Sequence, residues 1–250
     1  LLSTTIVSEY LNDVGISNSW RDARELVITD AVFRDASVNW VETEKHIKTK
    51  IDTSITTIVQ GFIAGDLNGN TTTLGREGSD FTAGIFAYCL DAESLTIWKD
   101  VSGVLNADPR EFEDPQLLEQ ISYEETIEMA FYGASVIHPK TIKPIQNKKI
   151  PLIVRSFKDL NSKGTKVTNK AEMIPHIPCY IVKKNQVLVS IASLDFSFIV
   201  EENISEIFKL FHKYQLKVNL IQNSAISFSV CLDNNLNHFD QLFNEMKVLY

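Results

Sequence analysis

The chain has 250 residues, of which 44% are hydrophobic and 22% charged, a composition typical of globular domains and not of disordered segments. Its formal net charge of −8 argues against nucleic acid or an anionic membrane as a partner, because both attract basic surfaces. The length predicts one large or two moderate domains, and no apolar run approaches the ~20 residues that a membrane-spanning helix needs.

Strand and helix patterns alternate along the first part of the chain. A helical apolar period begins after Ser3, which we expect to cap the helix, and ends before Gly15. The alternation that follows predicts a mostly parallel α/β sandwich. The predicted strands cover residues 25–29, 56–63, 95–98 and 152–157, and the predicted helices cover 80–90 and 123–132.

The last third of the chain has a different pattern. Residues 162–178 contain turn formers and no sustained apolar period, which indicates a crossing between domains. The order strand, helix, strand, strand, helix then predicts a small ferredoxin-like α+β module. Its strands are predicted at 186–192, 217–222 and 225–232, and its helices at 204–214 and 239–246. We therefore predict domains at 1–167 and 186–250, joined by a linker at 168–185.

The cysteines bear on the compartment. Cys89, Cys179 and Cys231 are odd in number and widely separated, which fits neither a disulfide framework nor a zinc site. We therefore expect a cytoplasmic protein, and we predict no metal site built from protein ligands.

A candidate site lies where a predicted strand and loop lead into a helix. The loop contains Arg76, and Ser79 and Asp80 open a helix rich in small residues. Backbone N–H groups at a helix start, together with Arg76, form an anion-binding corner, and the planar Arg fork suits a carboxylate. The alternative is that Ser79 is an ordinary helix cap and Arg76 a solvated loop charge.

Three strings of residues resemble signatures of the aspartate kinases. Residues 71–80 read T-T-T-L-G-R-E-G-S-D, similar to the family's T-T-L-G-R-G-G-S-D. Residues 97–110 read I-W-K-D-V-S-G-V-L-N-A-D-P-R, similar to W-T-D-V-D-G-V-Y-T-A-D-P-R. Residues 128–139 read E-M-A-F-Y-G-A-S-V-I-H-P, similar to E-L-A-Y-F-G-A-K-V-L-H-P. The resemblance implies an amino-acid-kinase fold for residues 1–167, with a mainly parallel sheet sandwiched by helices.

The first string is implied to hold the acceptor substrate. Phe62, Arg76, Ser79 and Asp80 are implied to bind L-aspartate, with Arg76 and Asp80 as catalytic residues. We expect Asp80 to orient the substrate amine. Glu77 replaces the usual glycine, so we expect its carboxylate to point away from a dianionic substrate.

The second string is implied to enclose ATP. Lys99, Asp100 and Asp108 belong to the implied nucleotide site, and Arg110 is implied to reach the phosphates. Because an anionic acceptor must approach an anionic phosphate, Mg²⁺ is expected as well.

Two positions of the third string, Ser135 and His138, carry further predictions, the first about a missing charge and the second about a helix start. Ser135 stands where the family has a nucleotide-contacting lysine, and we hypothesise that Lys99 or Lys140 supplies the missing charge. His138 is predicted to bond backbone at a helix start instead of acting as an acid or base.

Residues 186–250 resemble an ACT domain, a module that pairs with a second copy and binds amino acids. Val218, Asn219 and Ser224 are implied to bind the effector, although an ordinary role in the sheet and its turns has nearly equal weight. We expect a homodimer formed through these modules and feedback by lysine or threonine.

The resemblance implies an aspartate kinase, which transfers the γ-phosphate of ATP to the β-carboxylate of L-aspartate and yields 4-phospho-L-aspartate. The K-x-G-G loop of amino acid kinases and a second ACT unit do not occur in these residues, so we expect this portion alone to catalyse poorly. The alternatives are a non-catalytic amino-acid-sensing subunit, or the kinase part of a bifunctional aspartokinase–homoserine dehydrogenase. A Rossmann G-x-G-x-x-G segment downstream would indicate the bifunctional protein.

Overall fold

The computed structural model describes residues 1–134, 136–193, 198–234 and 236–249, which fold as two units, Leu1–Ile181 and Val182–Tyr250. In the first unit the helices are α1 Leu2–Asp13, α2 Trp40–Lys50, α3 Gly78–Cys89, α4 Tyr123–Tyr132 and α5 Pro139–Asn147. Its strands are β1 Asn18–Arg21, β2 Ile28–Thr29, β3 Thr56–Val59, β4 Ile63–Asp66, β5 Thr71–Thr73, β6 Leu95–Lys99, β7 Gln120–Ser122, β8 Leu152–Ser156 and β9 Thr165–Thr168.

The strands of the first unit pair mainly in parallel, as the sequence predicts. β1 pairs with β3, β2 with β4, β6 with β8 and β7 with β9, all in parallel. The β4–β5 and β8–β9 pairs are antiparallel. The largest sheet of the unit has the order β6-β8-β9-β7.

Helix α3 contributes residues to both apolar clusters of the first unit. Phe81 and Ile85 belong to one cluster, whereas Ala87 belongs to the other. A Cβ atom at Gly84 would lie 2.9 Å from the backbone oxygen of Thr141, so glycine allows α5 to approach α3 closely. This burial on several sides explains why α3 is apolar and rich in small residues.

Helix α1 begins two residues earlier than expected. Leu1 is the N-cap, and the predicted cap Ser3 lies inside the helix. The amides and hydroxyls of Thr4 and Thr5 all donate to the Leu1 carbonyl, so the helix start is bonded without a side-chain cap. Gly15 has φ 81° just beyond the helix, as the predicted stop requires.

Two predicted strands are shorter or broken. The run 25–29 contains only the strand β2, which follows a 3₁₀ turn at Ala23–Glu25. The run 56–63 is divided at Gln60, whose buried side chain accepts a hydrogen bond from the Ala23 amide at 2.7 Å. The strand β3 therefore ends at Val59, before a residue whose side chain is hydrogen-bonded to a different segment of the chain.

The segment predicted as a crossing between domains contains the strand β9. Gly164 has φ 70°, and a Cβ atom there would lie 2.0 Å from the Val154 carbonyl oxygen, so glycine permits the close pairing of β9 with β8. Thr165 and Val167 of this strand are fully buried. The following residues Ile177, Cys179 and Ile181 still pack on the first unit.

The second unit has the predicted order of elements. They are β10 Gln186–Ala192, α6 Glu201–Lys213, β11 Val218–Asn223, β12 Ser227–Asp233 and α7 Leu236–Leu249. Both neighbours of β12 in the sheet β10-β12-β11 run antiparallel to it. Phe211, Phe228 and Leu242 are central to its core. Among the described residues, no helix is both long and apolar enough to cross a bilayer.

Tyr123 provides a test of the first unit's core. Its ring is fully buried, its hydroxyl donates to the Ile150 carbonyl at 2.5 Å, and burial raises the pKa of the hydroxyl to about 12. Tyr123→Phe leaves that carbonyl unpaired and is expected to lower the free energy of unfolding by about 1–3 kcal/mol. Tyr132→Phe, at the exposed end of the same helix, is the control and is expected to change it by less than about 0.5 kcal/mol. Equal effects in urea denaturation would contradict this packing.

Candidate functional site

The start of α3 is bonded directly to the turn that precedes β4. The Phe62 amide donates to Thr82 Oγ1 at 3.0 Å, and that hydroxyl donates to the Gly78 carbonyl at 2.8 Å. A Cβ atom at Gly61 would lie 2.8 Å from Ser79 Cβ, so the turn and the helix start are in close contact. The sequence-selected residues Phe62 and Ser79 are therefore neighbours across this contact.

An ion pair joins the first two sequence motifs. Lys99 Nζ, at the end of β6, lies 3.0 Å from Asp80 Oδ2, in the first turn of α3. Both side chains are largely covered, with 23% of Lys99 and 19% of Asp80 exposed. A carboxylate in the first turn also interacts favourably with the positive end of the helix dipole. The structure thus brings a predicted substrate residue and a predicted nucleotide residue into contact.

Arg76 lies on the exposed loop between β5 and α3. Its guanidinium makes no hydrogen bond or ion pair to any residue that the structure describes. Next to it, Glu77 adopts a left-handed backbone with φ 54° and serves as the N-cap of α3. One Glu77 carboxylate oxygen is buried, with no hydrogen-bond partner in the described residues.

The residues after β6 form the second half of the site. Asp100 is exposed at the strand end, and residues 104–106 then pair with 116–118 as a narrow ribbon. Asp108 and Arg110 lie near its tip. The Arg110 guanidinium donates to the Asp108 carboxylate, at 3.0 Å from Nε and 2.6 Å from a terminal nitrogen, and the Arg110 amide also donates to this carboxylate at 2.9 Å. Arg110 is 80% exposed.

A cavity of ≈ 580 Å³ opens beside the start of α3. Gly61, Ser79, Thr82 and Phe86 line one side of it, and residues 51–57 contribute to the other. Of the site residues selected from the sequence and described by the structure, Ser79 is the one that lines this cavity.

Lys140 makes different contacts from Lys99, although both lysines were hypothesised to replace the positive charge that the family carries at Ser135. Its ammonium bonds to Asp35 Oδ1 at 2.7 Å and to the Leu74 carbonyl at 3.0 Å. His138 caps α5, and its Nδ1 accepts the Lys140 amide hydrogen, which confirms the predicted helix-start role. Ser135 lies outside the described residues.

Sequence reasoning missed Gln60 and Thr4 as supports of the site. The Gln60 amide nitrogen donates to Thr4 Oγ1 at 3.2 Å, and the Trp20 indole N–H donates to the same hydroxyl at 3.1 Å. These bonds tie α1 and β1 to the residue that precedes the Gly61 turn. The available signal was a polar Gln at the end of an apolar run, Ile58-Val59.

Comparison with known proteins identifies the family. Residues 1–156 match the amino acid kinase family, which is more than half of the chain. The chain belongs to the amino acid kinase family.

Among similar proteins, lysine-sensitive aspartokinase 3 of Escherichia coli strain K12 is 33% identical over 237 residues, which cover 93% of the chain and 52% of that protein. Bifunctional aspartokinase/homoserine dehydrogenase 2, chloroplastic, of Zea mays is 31% identical over 239 residues, 92% of the chain and 26% of that protein. A crystal structure of E. coli aspartokinase III in complex with aspartate and ADP is similar to the chain, with a TM-score of 0.74 and 30% sequence identity. The match covers 96% of the present chain and 57% of the E. coli chain. The chain thus spans about half of the E. coli relative and a quarter of the maize relative. The amino-acid-kinase fold predicted from the sequence is confirmed.

In the second unit of this amino acid kinase chain, the predicted effector residues all contact their own unit. The Asn219 amide nitrogen donates to Gln186 Oε1 at 2.6 Å and to Asp233 Oδ1 at 2.7 Å, and Lys183 donates to Asn219 Oδ1 at 2.7 Å. Ser224 shares a hydrogen bond with the Ser227 hydroxyl at 2.7 Å. Val218 packs against the core of the unit.

Asn219 is one of three hydrogen-bond donors that lower the pKa of the Asp233 carboxyl, together with Gln186 and Lys183. Burial acts to raise the pKa of the Asp233 carboxyl, but hydrogen bonds from Gln186, Lys183 and Asn219 outweigh it and lower the pKa to about 2. The ionised carboxyl therefore stabilises the unit above its unfolded pKa of about 3.9, and this stabilisation is lost as the pH falls toward about 2.

Asn219→Ala tests this network because it removes one donor to Asp233. We expect the pKa of Asp233, followed by NMR titration of its carboxyl carbon, to rise toward its ordinary value. Ser224→Ala is the control, since Ser224 bonds to Ser227 and not to Asp233. A titration midpoint that stays at about 2 in Asn219→Ala would show that Asn219 does not control this carboxyl.

Proposed function

We propose that the protein containing this chain is an aspartate kinase, which transfers the γ-phosphate of ATP to the β-carboxylate of L-aspartate and gives 4-phospho-L-aspartate. The observation that carries the proposal is the 3.0 Å contact between Asp80 and Lys99, because it joins the implied acceptor site to the implied nucleotide site. The similarity to an aspartokinase in complex with aspartate and ADP supports the same pair of ligands.

The chemistry requires charge compensation more than proton transfer. The β-carboxylate of aspartate, with a pKa of about 3.9, is already ionised at neutral pH, so no general base is needed. The obstacle is the repulsion between this carboxylate and the γ-phosphate, which fixed positive groups reduce. We propose that Lys99 offers its ammonium to a phosphate while it keeps its contact with Asp80.

The acceptor amino acid presents two kinds of group to the protein. The exposed Arg76 fork suits a carboxylate, and Asp80 suits the substrate ammonium. The cavity lined by Gly61 and Ser79 offers ≈ 580 Å³ of space beside the start of α3. We propose that Phe62 lines the entrance to this acceptor site, since its ring is exposed at the turn.

ATP and Mg²⁺ are proposed to bind at the end of β6. Hard cations prefer carboxylate oxygens, and the exposed carboxylate of Asp100 fits that preference. No group of three metal-binding side chains occurs in the described parts of the chain, so Mg²⁺ is proposed to bind with the nucleotide phosphates. Arg110 is proposed to exchange its bond with Asp108 for a phosphate contact.

The second unit is proposed to be an ACT domain that forms a homodimer and binds a feedback amino acid. Lysine is favoured over threonine because the E. coli relative is named as lysine-sensitive. An effector that uses Asn219 must replace its bonds to Lys183 or Asp233.

Cys89, Cys179 and Cys231 are free thiols, which supports the proposal of a cytoplasmic location.

A bifunctional protein is a second candidate for the full-length polypeptide, supported by the similarity to the maize enzyme. The sequence of the parent gene decides between the two. A downstream Rossmann G-x-G-x-x-G segment identifies the bifunctional form, and a second ACT unit followed by a stop codon identifies the monofunctional form.

Aspartate-dependent release of ADP by the full-length protein tests the proposed activity. Arg76→Ala is expected to raise KM for aspartate roughly tenfold to hundredfold, the effect of losing a charged hydrogen-bonding partner, with KM for ATP nearly unchanged. Arg21→Ala is the matched control, because Arg21 is another exposed arginine of the first unit. A wild-type protein that releases ADP at the same rate with and without aspartate would refute the proposal.

A further inference from the structure

One ammonium group holds the loop that carries Arg76. Lys140 Nζ donates to the carbonyl of Leu74 at 3.0 Å, and Leu74 is separated from Arg76 by Gly75 alone. The same ammonium bonds to Asp35 Oδ1 at 2.7 Å and lies 5.3 Å from the centre of the Phe81 ring in α3. Lys140 therefore contacts the segments on both sides of the loop as well as the segment at Asp35.

The backbone at Gly75 fits closely against this contact. Gly75 has φ 75°, and a Cβ atom there would lie 2.3 Å from Asp35 Oδ1, the atom to which Lys140 bonds. The Thr73 hydroxyl donates to the carbonyls of Phe33 and Arg34 at 3.0 Å and 3.1 Å. The segment 33–36 thus lies along the end of β5, and Asp35 occupies the space beside the Gly75 Cα.

Lys140 is attached to a rigid support. It lies in the first turn of α5, and Thr141, Ile142, Pro144 and Ile145 of this helix are buried. The Asp35 side chain is 71% exposed, so the ion pair alone contributes little. The bond to the Leu74 carbonyl is the stronger restraint on the loop, because it connects the loop backbone directly to a side chain of the packed helix α5.

We infer that Lys140 is a positioning residue that sets the direction of the loop from Gly75 to Ser79, and with it the placement of Arg76 for the acceptor carboxylate. This inference rests on the proposed function for its substrate. It gives different roles to the two lysines that were hypothesised to replace the charge missing at Ser135. Lys99 contacts Asp80 and is proposed to contact a phosphate, whereas Lys140 acts through the loop.

The test compares Lys140→Met with Lys143→Met in the full-length protein. Lys143 lies one turn further along α5, is exposed, and makes no hydrogen bond or ion pair within the described residues. In Lys140→Met we expect KM for aspartate to rise roughly tenfold, while KM for ATP and kcat stay within about twofold of wild type. Lys143→Met is expected to match wild type in all three.

Hydrogen exchange gives a second readout that does not depend on activity. The Leu74 amide donates to the Phe62 carbonyl and the Gly78 amide to the Gly75 carbonyl, so both report on the loop. Both amides are expected to exchange roughly tenfold faster in Lys140→Met than in Lys143→Met. Asp35→Asn, which keeps the side-chain shape, is expected to move both readouts in the same direction but by less.

The outcomes separate the two proposals. If the wild-type protein shows no aspartate-dependent ADP release, the proposed function fails, and the exchange rates still decide whether Lys140 holds the loop. Equal exchange in the two lysine variants overturns the inference, and so does an unchanged KM for aspartate in an active Lys140→Met enzyme. Faster exchange together with a selective rise in that KM supports it.

Discussion

The contact between the Lys99 ammonium and the Asp80 carboxylate, at 3.0 Å, joins the end of β6 to the start of α3, the two elements on which the proposed reaction depends. Each side chain is about one-fifth exposed, so the pair is partly removed from water and its geometry is restricted by packing. Asp80 is fixed by the first turn of α3, and Lys99 by the end of a strand in the largest sheet. A displacement of either element would separate the proposed acceptor site from the proposed nucleotide site.

Helix α3 makes this contact possible because small residues let its neighbours approach. Gly61 allows the turn before β4 to touch Ser79, and Gly84 allows α5 to approach from the other side. The helix also contributes to both apolar clusters of the unit. The same close packing brings Lys140 of α5 to the loop that precedes α3. The placement of the candidate site residues and the packing of the core therefore depend on one helix.

Local patterns in the sequence predicted most of the elements. The helix at 123–132, the strand at 186–192 and the order of elements in the second unit follow from apolar periods and turn residues. The family resemblance, and not a local pattern, selected Asp80 and Lys99, and it did not predict their contact. The strand β9 was missed because three of its four residues are polar, and Thr165 and Val167 are buried where β9 lies between β8 and β7.

The remaining features depend on contacts between distant residues. The strand β3 ends before Gln60, whose side chain accepts a hydrogen bond from the distant Ala23 amide. Lys140 likewise bonds to Leu74 and Asp35, which are far from it in the sequence. No periodicity encodes such pairs. Ser3 was a reasonable cap by residue type, but the Leu1 carbonyl already accepts the bonds that start α1. In the second unit, the resemblance to an ACT domain suggested Asn219 as an effector ligand. Its hydrogen bonds to Gln186 and Asp233 within the same sheet could not be predicted from that resemblance.

A double-mutant cycle with Lys99→Met and Asp80→Asn, read as kcat/KM for aspartate in the full-length protein, tests the central claim most directly. If the two side chains act together at the junction of acceptor and nucleotide, the effects are coupled by about 1 kcal/mol or more. Effects that add to within about 0.5 kcal/mol would contradict a joint role for Lys99 and Asp80 in the reaction.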